Sequence, residues 1–152
     1  LKKENVYEVI VNIVSYLQKR ISTKIAIRIN KEIDLLPIVK INKPLFEWVI
    51  ENICKNAVDA IGEKEDGSVS IHISGSEKKI CIDISDTGKG ISKKLAKKIF
   101  EPGFTTKKRG WGLGLTLTKR IIEQYHNGKI FIKSSEIDKG TTFRIILNRE
   151  TK

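Results

Sequence analysis

Three clusters of residue types in this 152-residue chain could do chemistry. The first is Asn52, Asn56 and Asp59, two amides and a carboxylate at i, i+4 and i+7. At roughly 100° per residue they share one edge of an apolar helix face made by Leu45, Phe46, Val49, Ile50, Ile53, Cys54, Ala57 and Val58. Polar groups bordering a core need partners, either neighbouring backbone or a ligand along the ledge. The second cluster is Asp83-Ile84-Ser85-Asp86-Thr87-Gly88-Lys89-Gly90-Ile91, where a strand runs into glycines that tolerate φ > 0 and close approach. This is either ordinary turn chemistry or a recognition site. An ionised Asp86 is acceptor-only, so at a strand end over an apolar slot it can take the exocyclic amine of adenine, a donor guanine lacks there. The third cluster, EPGFTTKKRGWGLGL at 101–115, sets Lys107, Lys108 and Arg109 among glycines before a helix. Free N–H groups, a helix dipole and positive charge then converge, as an oligophosphate requires. The spacing is neither a Walker loop nor a dinucleotide-binding GxGxxG.

The elements that would position these clusters follow from periodicity. Residues 5–21 carry Val6, Ile10, Val14 and Leu17 at helical spacing beside Ile13. The alternating KIAIRIN at 24–30 and the shorter 37–41 predict strands. Asn42 before Pro44 predicts a helix start, running to about Ile61. Residues 68–74 and 79–85 alternate around Gly75-Ser76 as a hairpin. A short helix is expected over 92–100, and a longer one over 113–125 with Leu113, Leu117, Ile121 and Tyr125 in one register, closed by Asn127-Gly128. Residues 129–134 and 141–147 form a last strand pair around Asp138-Lys139-Gly140. Three long helices cover one face of such a sheet, which predicts an α/β two-layer sandwich: a mixed, mostly antiparallel sheet of about five strands.

Composition narrows the function. Subtracting 18 acidic from 29 basic residues leaves +11, and 39% hydrophobic content predicts one folded domain over 1–152. The lysines are dispersed through the elements, not interleaved with aromatics as a nucleic-acid stripe would be, so no nucleic-acid partner is expected, and a basic nucleic-acid module stands only as the alternative from another class. No apolar run approaches a membrane span and no signal peptide opens the chain, so no membrane insertion is expected. Cys54 and Cys81 match no metal spacing. A chain starting at Leu1 with no Met reads as a piece of a longer polypeptide.

In this order the clusters resemble the ATP-binding catalytic domain of sensor histidine kinases, within the superfamily shared by DNA gyrase B subunits, Hsp90 chaperones and MutL repair proteins. Asn52-Ile53-Cys54-Lys55-Asn56-Ala57 resembles its N box, Asp86-Thr87-Gly88-Lys89-Gly90 its G1 box, Phe100-Glu101-Pro102-Gly103-Phe104 its F box, Gly110-Trp111-Gly112-Leu113-Gly114-Leu115 its G2 box, and Gly140-Thr141-Thr142-Phe143 its closing motif. The resemblance implies the Bergerat fold, ATP and Mg²⁺ as ligands, and transfer of the γ-phosphate to a histidine. Asn56 would hold Mg²⁺, and Asp86 would bind adenine with Gly88, Gly90 and Ile91 shaping the loop. Thr141, before Thr142, would touch the adenine edge through water. Backbone N–H groups of Gly112, Leu113, Gly114 and Leu115, with Gly110, would cradle phosphates, and 104–109 would form the ATP lid, with Thr105, Thr106, Lys107, Lys108 and Arg109 facing the nucleotide.

Two departures carry information. Where the hydrolysing members have a glutamate base, four residues before the metal-binding Asn, this chain has Asn52, which cannot deprotonate water; that implies transfer to a protein, with Asn52, Asn56, Lys107 and Arg109 as catalytic candidates. Many family members have Lys where this chain has Asp59. His72 reads as a strand-face residue and His126 as a cap favourable to a helix dipole, neither as an acceptor. The implied partners are the dimerisation and histidine phosphotransfer domain of a parent kinase and a response regulator, with this piece a monomer in the cytoplasm whether or not the parent is membrane-bound. A serine kinase of the anti-sigma type shares the fold and is the alternative within it. Trp111 either shields the nucleotide or packs the lid, and Trp48 either meets a partner or lies on the helix surface.

Overall fold

The computed structural model describes residues 1–21, 24–64, 66–101 and 114–150. Among the described residues, seven strands and four α-helices follow in the order β1 (Lys2–Asn5), α1 (Val6–Gln18), β2 (Ala26–Glu32), β3 (Ile38–Ile41), α2 (Lys43–Ile61), β4 (Ser68–Gly75), β5 (Lys79–Asp86), α3 (Lys93–Ala96), α4 (Gly114–Arg120), a π-helical turn (Ile121–Tyr125), β6 (Lys129–Glu136) and β7 (Gly140–Asn148). Five strands form one sheet in the order β2-β4-β5-β7-β6, and β1 and β3 pair separately as a small antiparallel ribbon. Within the large sheet only β2 and β4 run parallel, joined through β3 and α2; the other pairs are antiparallel. The expected mixed sheet beneath a helical layer is therefore present.

Helix α1 starts because the Asn5 side chain accepts from the N–H groups of Tyr7 and Glu8, at 3.0 and 3.2 Å. Its last residue, Gln18, acts as a surrogate strand, donating to the Ile25 carbonyl and accepting from the Ile27 N–H, both at 2.9 Å. Helix α2 is capped by Asn42, which accepts from Leu45, and its apolar face buries Phe46, Val49, Ile50, Ile53, Cys54, Ala57 and Ile61. These pack on Val69, Ile71, Ile73, Ile80, Ile82, Ile84, Ile145 and Leu147, the alternate residues of the three central strands. Phe46 is fully buried there, and truncating it to Ala would cost about 3–5 kcal/mol.

Several local expectations need correction. The four polar residues before α1 are a strand, because they complete a ribbon with β3. The short helix expected over 92–100 is regular only over Lys93–Ala96. The helix expected over 113–125 is α-helical only through Arg120, and its register is not the expected one: Leu117 is 38% and Tyr125 53% exposed, while Thr118, Ile121 and Ile122 are buried. The difference begins before the π turn, because Thr118, bonded to Asn52 and to the Gly114 carbonyl, takes the inward position; the π turn then opens one extra residue and rotates those after it, including Tyr125. His126 ends that turn as a neutral ring. Its Nε2 accepts from the Asn42 N–H at 3.0 Å, so Nδ1 carries the proton and donates to the Ile121 carbonyl at 2.8 Å. It caps by hydrogen bonds and ties the end of this helix to the start of α2, not as a cation on a dipole.

Candidate functional site

Strand β5 ends at Asp86, and the loop after it is clasped from two sides. From α2, the Ala60 carbonyl accepts from Lys89 N–H at 3.0 Å, and Gly88 lies so close that a Cβ would sit 2.6 Å from the Ala60 carbonyl. Lys64 donates to the Thr87 carbonyl at 2.7 Å. From the β6–β7 turn, Asp138 N–H donates to the Lys89 carbonyl at 2.8 Å, and Gly90, at φ +73°, would drive a Cβ to 2.1 Å from the Glu136 carbonyl. The close approach that Gly88 and Gly90 permit is therefore to protein backbone. Ile91 N–H donates to Ser135 Oγ at 2.8 Å.

The clasp fixes the Asp86 carboxylate on the helix side of the sheet. Oδ1 accepts from Gly88 N–H at 2.8 Å and from Thr141 N–H at 3.3 Å. Oδ2 has no partner among the described residues, and it is not sealed from solvent. Burial pushes this carboxyl above the usual aspartate range; the two N–H groups and the Lys64 charge pull back only in part. Thr141, buried opposite on β7, bonds its hydroxyl to Ser135 Oγ at 2.8 Å.

The ledge on α2 lies alongside. Asn56 is half-buried and one turn, about 6 Å, before Ala60, so the loop holding Asp86 docks next to it. Asp59 is exposed at the same edge. Asn52 donates from Nδ2 to Thr118 Oγ1 at 3.1 Å, and Thr118 donates to the Gly114 carbonyl at 2.8 Å. Gly114 is so close that a Cβ would stand 3.0 Å from both polar atoms of Asn52. One member of the ledge thus holds the start of α4, where Gly114 and Leu115 are half-buried. Thr105, Thr106, Lys107, Lys108, Arg109, Gly110, Trp111, Gly112 and Leu113 lie outside the described residues.

Lys64 and Ser135 escape a reading of residue types, since each binds backbone groups that leave no side-chain pattern. Among the described residues no group of three or more His, Cys, Asp or Glu could hold a metal ion, and no helix is long and apolar enough to cross a membrane. Both histidines are engaged: His72 Nε2 lies 3.3 Å from Glu32, and His126 bonds through both ring nitrogens.

Comparison with known proteins gives a consistent picture. The family model described as histidine kinase-, DNA gyrase B-, and HSP90-like ATPase matches residues 41–151. The chain is 40% identical over 114 residues to the sensor histidine kinase ZraS of Escherichia coli (strain K12), covering 75% of this chain and 24% of that protein. The chain thus spans about a quarter of the length of that relative. The nucleotide-free catalytic domain of histidine kinase ThkA superposes with a TM-score of 0.85 at 28% identity, covering 97% of this chain and 95% of that one. In its complex with the response regulator protein TrrA, ThkA matches with a TM-score of 0.81 at 26% identity, covering 99% of this chain and 42% of that one.

Proposed function

Because this chain belongs to the family of histidine kinase-, DNA gyrase B- and HSP90-like ATPases, we propose that it is the ATP-binding catalytic domain of a two-component sensor kinase. In this reading it hands the γ-phosphate to a histidine on another domain, and a response regulator lies downstream. The observation that carries it is Asp86: a buried carboxylate with one oxygen saturated by backbone and the other open among the described residues. An acceptor of that kind at the end of a strand suits the amine of adenine.

The metal is the one the family resemblance implies, and the donor chemistry is compatible with it. Asn56 offers one neutral, hard oxygen, and no acidic cluster stands ready among the described residues. That suits Mg²⁺, which keeps waters and takes most of its charge compensation from phosphates, and which would neutralise them during transfer. Lys107, Lys108 and Arg109, with the N–H groups from Gly110 to Leu115, are the proposed phosphate contacts. An amide at Asn52 cannot serve as a base toward water, and its nitrogen is spent on Thr118, which supports transfer to protein over hydrolysis. His126 is buried with both ring nitrogens bonded, and His72 sits within strand β4 beside Glu32, which supports an acceptor supplied elsewhere.

Isothermal titration of the chain with Mg-ADP tests the pocket: Asp86→Ala should weaken binding about 100-fold, and an unchanged affinity would refute the assignment. Incubation with labelled ATP and a purified histidine-bearing dimerisation domain should give an acid-labile phosphoprotein. An acid-stable product would instead mark a serine kinase.

A further inference from the structure

The geometry points to Ser135 as a positioning residue that makes the adenine pocket read N1 as well as the amine, by setting the direction of the Thr141 hydroxyl. It rests on the nucleotide reading above.

Strand β6 would not present Ser135 to the site if it alternated regularly. Ile130 is buried, Ile132 packs against the core, and the next inward position would be Ser134. The pairing with β7 slips by one residue at Lys133, so that Ile132 faces Phe143 but Ser134 faces Thr142 and Ser135 faces Thr141. This bulge re-aims Ser135 to the helix side, beside Asp86 and Thr141.

A hydroxyl has one proton and two lone pairs. Ile91 N–H occupies one lone pair of Ser135 Oγ. The 2.8 Å bond between the Ser135 and Thr141 hydroxyls forms whichever of them donates; were Thr141 the donor, the Ser135 proton would be left with the Gly140 carbonyl at 3.4 Å, too long for a good O–H···O bond, so an acceptor offered to Thr141 favours Ser135 as the donor. Sent to Thr141, the Ser135 proton leaves the Thr141 proton directed away from Ser135 as a donor. Next to it Asp86, bonded to the Thr141 N–H, can only accept. An acceptor beside a donor is complementary to adenine, whose amine donates and whose N1 accepts, whether directly or through one water. It opposes guanine, whose corresponding edge carries the reverse pattern.

The test compares two probes, ADP and 1-deaza-ADP, in which N1 is replaced by C–H, titrated with MgCl₂ against the 152-residue chain. The unaltered chain should prefer ADP about tenfold. In Ser135→Ala that ratio should fall to about twofold or less, and Ser135→Thr should restore it. In a Thr141→Val background the ratio should be near one, and adding Ser135→Ala should not change it further. Should Ser135→Ala not fold, Ser135→Cys, a weak donor, is expected to give an intermediate ratio. Equal weakening of both nucleotides by the Ser135 variants would reduce the residue to structural support and overturn the inference. So would a ratio near one in the unaltered chain that still binds ADP. Failure of the unaltered chain to bind ADP at all would instead overturn the nucleotide reading on which this one stands.

Discussion

Two aspartates three residues apart on β5 meet opposite fates. Asp83 and Asp86 are 7% and 8% exposed, so burial alone would treat them alike. Asp83 lies on the face away from α2, where Arg144 on β7 grips it bidentately, Nε to Oδ1 at 2.7 Å and Nη2 to Oδ2 at 2.8 Å, with Lys133 at 3.5 Å. The Arg144 hydrogen bonds hold its carboxyl below the usual range, against the cost of burial. Asp86 has no cation in contact with its carboxylate among the described residues, and burial pushes its carboxyl up. One carboxylate is finished by the fold; the other is left incomplete at a place the fold takes care to clasp. That difference, more than burial, separates a structural ion pair from a binding group.

Substitution should break the pairing of these roles most sharply at Asp86. Asp86→Asn keeps an oxygen for Gly88 and Thr141 but presents an amide where an acceptor is needed. ADP affinity should fall about 100-fold by titration calorimetry. Its thermal midpoint should not drop, because the change removes a charge that burial disfavours.

Arg144→Ala should do the reverse. Chemical denaturation should show a loss of about 2 kcal/mol, with ADP affinity within twofold of the unaltered chain, since Asp83 would be left buried on the other face with only Lys133, at 3.5 Å, against it.

Acidification should separate the two in order. Asp86, with its folded value raised, takes up a proton at pH above the ordinary aspartate value of about 3.9, and ADP binding should weaken there. Its protonation relieves an unfavourable charge, so this group's contribution to stability improves as pH falls. Asp83, with its folded value lowered, contributes stability above the ordinary value and loses it as pH falls through the folded one. Binding should therefore fade at a higher pH than unfolding begins.

The smallest expected effect uses Cys81, whose thiol lies 3.7 Å from Asp83 Oδ1 and is pushed up by burial and then by the Asp83 charge. Asp83→Asn should speed its alkylation about two- to threefold. Cys54, buried in α2 and pushed up to about 12, should stay unlabelled and serve as an internal control.

What could be read ahead of the structure was local. Asn42 before Pro44 announces α2, and Gly75-Ser76 between alternating runs announces the β4–β5 hairpin, because caps and turns act over a few residues. Strand β1 was illegible, since its KKEN has no apolar pattern and depends on β3, some 36 residues away in register. The buried stripe of α4 runs through Thr118, a polar residue bonded to Asn52 and to the Gly114 carbonyl, so a reading of apolar types sets Leu117 inside in its place; only Tyr125 lies where the π turn can move it. At the site, Asp86 was visible through its glycines. Ser135 was not, because only the slip at Lys133 brings it opposite Thr141.

That slip has a second consequence. β6 is a terminal strand of the five-stranded sheet, and its outer row of amides and carbonyls is a template on which a strand from another molecule could grow. An extra residue in the middle twists the row and breaks its spacing, and Lys129 and Lys133 add charge to it. The kink that turns one hydroxyl inward thus also makes the rim of the sheet a poor seed for aggregation.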